Sequence, residues 1–127
     1  MVEQGGNDGS LNPDKVAGGD GLPPTTEESV TRKLNDYLLN LDHPVGGLKA
    51  KWFGSALGFT RNNADKLAKQ IVFDLSVAVE TSITPYGTKF NQVISIVGEN
   101  GKVIDVDFAW IRNNDGVVRL VTAIPAR

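Results

Sequence analysis

The apolar residues of this chain change their period near residue 76, and that change restricts the fold more than any other feature. Before it, Leu34, Tyr37, Leu38 and Leu41 recur at helical spacing. After it, residues 90–97, 102–112 and 117–124 alternate or run apolar as strands do. Gly98-Glu99-Asn100-Gly101 and Asn113-Asn114-Asp115-Gly116 stand between those runs as tight turns. Three consecutive strands joined by two tight turns make an antiparallel meander. The expected fold is therefore α+β, with N-terminal helices packed on a sheet of three to four strands.

Local signals divide the helical part. Thr26-Glu27-Glu28-Ser29 opens the first helix, with Thr26 or Ser29 as N-cap and acids at the positive end of the helix dipole. Asp42-His43-Pro44 ends it, because proline disfavours helical geometry in the preceding residue. Residues 48–57 form a second, short helix with Leu48, Trp52, Phe53 and Leu57 inward, stopped at Gly58. Asn62 or Asn63 caps a third, carrying Leu67 and Ile71 to about residue 75. Val77, Val79 and Ile83 suggest a further strand.

Residues 1–26 are rich in Gly, Pro, Asn and Asp without apolar periodicity, and read as a flexible leader before a domain at 27–127. An opening Met followed at once by a linker suggests a piece of a longer protein. Residues 1–30 hold Lys15 against six acids, a charge of −5, while 31–127 hold twelve bases against nine acids, a charge of +3. The net −2 thus hides a mildly basic domain that permits a polyanionic partner. With 40% hydrophobic and 22% charged residues, a wholly disordered or collagen-like chain is excluded. No apolar run is long enough for a membrane span, and the first residues lack the pattern of a signal peptide. No cysteine and one histidine exclude disulfide scaffolds and thiolate sites and argue against a zinc enzyme.

Three places carry chemistry. The first is His43-Pro44-Val45-Gly46-Gly47-Leu48-Lys49-Ala50-Lys51, a loop histidine followed by lysines at a helix start. It combines a proton-transfer group with cations suited to phosphate; a packed loop histidine and a solvated helix face are the plainer account. The second is a set of hydroxyls: Tyr86 and Thr88 at a strand entry, and Thr122 between Leu120 and Ile124 in the last strand. The third is Asp105 with Asp107, two carboxylates on one strand face that can hold Mg²⁺ or simply be solvated. Trp110 lies on the opposite, apolar face, as a core residue.

Lys33-Leu34-x-x-Tyr37-Leu38-Leu39-Asn40, His43-Pro44-x-Gly46-Gly47-x-Lys49-Ala50-x-x-Phe53, Leu57-Gly58-Phe59-Thr60, Tyr86-Gly87-Thr88-Lys89-Phe90, Gly98-x-Asn100-Gly101, Trp110-Ile111 and Leu120-Val121-Thr122-Ala123-Ile124-Pro125 occur in that order. The set, over residues 31–125, resembles a C-terminal toxin domain of bacterial polymorphic toxins and contact-dependent growth inhibition effectors. That domain looks like a member of the barnase/EndoU/colicin/RelE-type ribonuclease group. The resemblance implies an effector tip delivered into the cytoplasm of a neighbouring bacterium, where it cuts RNA, with tRNA the expected class. It implies a cognate immunity protein, and leaves room for a host activating factor. Asp107 and Phe108 depart from the more basic or threonine-containing strand associated with the family.

The expected mechanism is metal-independent transesterification, with no cofactor and no metal. His43 serves as general base or acid, and Lys49 stabilises the phosphorane. Tyr86, Thr88 and Thr122 bind phosphate or position the 2′-hydroxyl. The alternative is a non-catalytic nucleic-acid or protein binding module, in which His43 is dispensable.

Overall fold

The computed structural model describes residues 12–19 and 21–125. Three short helices precede a four-stranded antiparallel sheet: α1 (Thr26–Lys33), α2 (Gly47–Trp52), α3 (Ala64–Ala68), β1 (Val79–Thr84), β2 (Gly87–Val97), β3 (Val103–Asn113) and β4 (Val118–Ile124). Neighbours in sequence are neighbours in the sheet, so β1 and β4 are its edges. The architecture is the expected α+β meander with helices first.

The helices pack on one sheet face. Val30, Leu34 and Leu38 come from the first helical segment, Phe53 and Leu57 from the second, and Leu67 from α3. They meet Phe90 and Ile96 of β2, Val106, Phe108 and Trp110 of β3, and Leu120 and Ala123 of β4. Trp110 is fully buried, as its strand face requires, and its ring packs edge-on to Phe73 at 5.4 Å. Burial of this apolar surface is the main stabilising term for a domain of this size.

The helix ends differ from expectation by small shifts with local causes. Thr25, not Thr26 or Ser29, caps α1, its hydroxyl accepting from the Glu28 amide at 3.0 Å. The apolar stripe continues past α1 in a wider, π-helical turn at Leu34–Leu38. Leu48 is exposed rather than inward, because Ala50, Phe53 and Leu57 set the buried face and Leu48 lies about 200° from Ala50 around the helix. The second helical segment ends at Gly58, whose φ of 80° is the left-handed stop expected there. A 3₁₀ turn at Arg61–Asn63, held by a capping box between Thr60 and Asn63, leads into the third helix, whose N-cap position is Asn63 as expected. That helix ends at Ala68, well before residue 75. Gln70 instead bonds the backbone of Val97 from both ends of its amide, and Gln92 bonds the Val72 carbonyl and the Asp74 amide. These side chains fasten residues 70–74, which form no regular element, to β2.

Two further differences bear on function. Leu120, Thr122 and Ile124 do not form one row. Leu120 pairs with Trp110 and Thr122 with Ala109, so two steps on β4 oppose one on β3. Val121 is the extra residue of a bulge, which turns Thr122 to the face opposite Leu120. The leader, in its described part, is also no free tether. Pro13, Leu22 and Pro23 are buried, the Pro13 carbonyl accepts from Asn113 at 2.9 Å, and the Pro23 carbonyl accepts from Arg119 at 2.7 Å. Residues 1–11 of that expected leader lie outside the described residues.

Candidate functional site

The chain between α1 and α2 is built by short-range hydrogen bonds. The Asn40 side chain accepts from the Asp42 amide, and the Asn40 carbonyl from the His43 amide. His43 then acts as a cap: its Nδ1 accepts from the Val45 amide at 3.0 Å and the Gly46 amide at 2.8 Å. An acceptor nitrogen carries no proton, so the neutral ring holds its hydrogen on Nε2. Nε2 is buried without a partner, and the ring stands edge-on to Tyr37 at 4.9 Å. Gly46 makes this approach possible: a Cβ there would lie 2.3 Å from the Tyr37 carbonyl oxygen.

Lys49 sits one turn into α2 and reaches the edge of the sheet. Its ammonium donates to Thr122 Oγ1 at 2.6 Å and stands 5.5 Å from the Tyr37 ring centre. Lys33 brings a second ammonium to that ring, also at 5.5 Å. Both distances lie in the range of cation–π attraction. The β4 bulge is what lets Thr122 receive Lys49, since it takes the hydroxyl out of the core row. Lys49 and Thr122 are 73 positions apart and half-buried, so the contact joins helix layer and sheet at an accessible rim.

The structure therefore brings three of the five sequence-derived residues to one rim: His43 through Tyr37, Lys49 and Thr122. It does not bring Tyr86 and Thr88 there. Tyr86 lies in the turn between β1 and β2, and Thr88 pairs with Arg112, on the helix-covered face beside Phe90. Thr88 is two strands and three residues from Thr122, about 14 Å along the sheet.

The opposite, open sheet face supplies residues that sequence reasoning passed over. The row Asn91–Ala109–Thr122 crosses it. Lys89 lies one pleat beyond Asn91 toward the β3–β4 turn, and Asp107 one row the other way. Lys89, Asn91 and small Ala109 lie on this face, while Tyr37, in the helix layer, meets the Lys33 and Lys49 ammoniums; the Lys33-x-x-x-Tyr37 spacing was the available signal for it. Asp105 and Asp107 are not joined on a shared ligand. Asp105 accepts from the Ser95 hydroxyl, and Asp107 Oδ2 from the Asn91 amide. Among the described residues no group of three His, Cys, Asp or Glu side chains converges as metal ligands would.

Chemically, the rim offers a lysine whose hydroxyl partner uses one of its three N–H donors, leaving two for an anionic oxygen. Among the described carboxyl groups, Asp115 is held below its ordinary range by the Arg119 guanidinium, and Asp74 by the Ser76 hydroxyl and amide. Neither faces the rim.

Fold and rim together define a small α+β domain with helices on one sheet face and a lysine–hydroxyl pair at the sheet edge. The chain belongs to the family described as Domain of unknown function (DUF6883), which matches residues 24–127. No curated protein matches it, and no solved structure does.

Proposed function

We propose that this chain is a metal-independent ribonuclease, the toxin tip of a bacterial effector that cuts RNA, tRNA above all, in a neighbouring cell and is blocked at home by an immunity protein. The observation that carries the proposal is the Lys49 ammonium 2.6 Å from Thr122 Oγ1, on the rim that also holds the His43 loop. A cation fixed beside a hydroxyl is suited to the charge of a pentacoordinate phosphorus. The substrate 2′-oxygen loses its proton to a base and bonds to phosphorus. The bond from phosphorus to the 5′-oxygen breaks, and that oxygen takes a proton, leaving a 2′,3′-cyclic phosphate and a 5′-hydroxyl.

Lys49 stabilises the phosphorane, and Thr122 orients Lys49 and contacts a phosphate oxygen. His43 exchanges the proton once residues 44–46 swing open, which uncovers the ring and frees Nδ1 from the Val45 and Gly46 amides to accept it. Tyr86 and Thr88 are left to contacts further along the RNA.

The test is cleavage of total bacterial RNA by the purified chain, with EDTA and with Mg²⁺ added. A discrete cut in EDTA with cyclic-phosphate ends is expected, with Lys49→Met about 100- to 1,000-fold slower. His43→Asn keeps an acceptor for the Val45 and Gly46 amides and removes the proton-transfer group. It should fold and be inactive; full activity would make His43 a loop-positioning residue only. Cleavage that needs Mg²⁺ would replace the mechanism with one based on Asp105 and Asp107.

One observation favours a second reading, the non-catalytic binding module: His43 is 7% exposed and its buried Nε2 has no partner. Expression in bacteria separates the two, because a nuclease is toxic and a binding module is not.

A further inference from the structure

The open sheet face has two unlike ends. Toward the β2–β3 turn it carries Asp105 and Asp107. Toward the β3–β4 turn it carries Lys89 and Arg119, both on the row through Ile111. Arg119 is buried and fully engaged with Asp115, Asn113 and Pro23. Lys89 is different. Its side chain is 30% exposed, and its ammonium contacts Asp14 Oδ2 at 3.2 Å. Asp14 comes from 75 positions away, in a 3₁₀ turn at Pro13–Lys15 that lies across this end of the sheet.

Two facts distinguish that turn from ordinary packing. Residues 12–19 and 21–23 lie outside the family match, which begins at residue 24. The other Asp14 oxygen, Oδ1, is buried with no hydrogen-bond partner. A buried carboxylate oxygen without a donor costs free energy, so the seat does not suit a permanent carboxylate. An anion whose remaining oxygens stay in water would fit it better. The strap itself is charge-neutral, one acid and one base over residues 12–16, and its acid is the group turned to Lys89.

We propose that Lys89, with the Asn91 amide beside it, is a phosphate subsite for a phosphodiester chain, and that Asp14 occupies it in the free protein as a displaceable stand-in. This rests on the RNA-binding part of the function proposed above. A strand running from Lys49 and Thr122 across small Ala109 reaches Asn91 after about 10 Å and then Lys89. RNA therefore displaces the 12–16 strap as it binds, and the strap weakens binding until it leaves.

The test uses the full chain and a short fluorescent 2′-O-methyl oligoribonucleotide, which lacks the free hydroxyl needed for cleavage. Anisotropy should give binding roughly two- to fivefold tighter for Asp14→Asn, the worth of one partly exposed ion pair. Glu99→Gln, the same charge change on a surface pair with Lys66, should gain less. Lys89→Gln should weaken binding, and Asp14→Asn on that background should gain nothing. Saturating probe should also speed trypsin cleavage after Lys15 in the unaltered chain. An Asp14→Asn gain that survives Lys89→Gln, or Lys15 cleavage that does not respond to probe, overturns the proposal. RNA cleavage without any Asp14→Asn effect would sink the strap and leave the nuclease. The binding pattern without cleavage in any variant would leave the subsite and sink the nuclease.

Discussion

Replacing Arg119 with methionine should destabilise the chain by about 3 kcal/mol. The arginine side chain is 1% exposed, and its guanidinium donates to four acceptors: the Pro23 carbonyl at 2.7 Å, Asn113 Oδ1 at 2.9 Å, and the two Asp115 oxygens at 3.1 and 2.9 Å. Methionine fills most of the volume and donates nothing. Asp115 is 28% exposed and can turn to water, so its loss is small. Asn113 Oδ1 and the Pro23 carbonyl are stranded in buried surroundings, at about 1–3 kcal/mol each. Removing a charge from the interior offsets part of that sum, which leaves a net near the middle of the range. Urea unfolding followed by circular dichroism measures it, with an unchanged slope required for the comparison. A loss below about 1 kcal/mol would refute the reasoning, since it would mean that the stranded acceptors find water or that the guanidinium's burial cancels its bonds. The same variant removes the bond that holds Pro23, so trypsin cleavage after Lys15 should also accelerate without any probe.

Asp115 gives a pH dependence of definite sign. The Arg119 side-chain hydrogen bond lowers its folded pKa, so its contribution is complete above the unfolded value of about 3.9 and fades as pH falls through the lower folded value. The urea midpoint should therefore drop below about pH 4, and Asp115→Asn should flatten part of that drop; an unchanged acid limb would refute it. The Ser76 bonds lower Asp74 in the same direction, so the flattening is not complete. Gly46→Ala should cost about 1–3 kcal/mol by overpacking against the Tyr37 carbonyl. It should also slow RNA cleavage by moving the loop from Tyr37 and Lys49; a fully active Gly46→Ala enzyme would place the reacting groups elsewhere.

What could be read from sequence was what neighbouring residues decide together. The alternation of Val106, Phe108 and Trp110 with Asp105 and Asp107 set the faces of β3, and all three apolar residues are fully buried. The turns at 98–101 and 113–116 made their hairpins because glycine relieves the tight backbone there. What could not be read depends on partners distant in sequence. The third helix stops at Ala68 because Gln70 and Gln92 bond backbone across the sheet, and no propensity of residues 69–75 records that. Leu48 counted as inward because apolar residues generally are, whereas the buried face was chosen by Phe53 and Leu57 meeting a sheet some fifty residues on.

The site follows the same division. Its residue types were legible, since a histidine, lysines and hydroxyls near glycines stand out in a chain of this composition. Their geometry was not, and one bulge decides most of it. Had β4 kept strict alternation, Thr122 would share Leu120's face and its hydroxyl would point into the apolar core, at the cost of an unpaired buried polar group. Val121 inserts one residue, Thr122 moves to the opposite side, and Ala123 takes over the core position beside Phe108. The hydroxyl then lies where Lys49 can reach it. A single extra residue thus satisfies the packing of the core and the polarity of the rim together. Deleting Val121 should restore the alternation and break the Lys49–Thr122 contact. The variant is expected to keep its sheet by circular dichroism while losing RNA cleavage, and an active Val121 deletion would show that the bulge does not build the site.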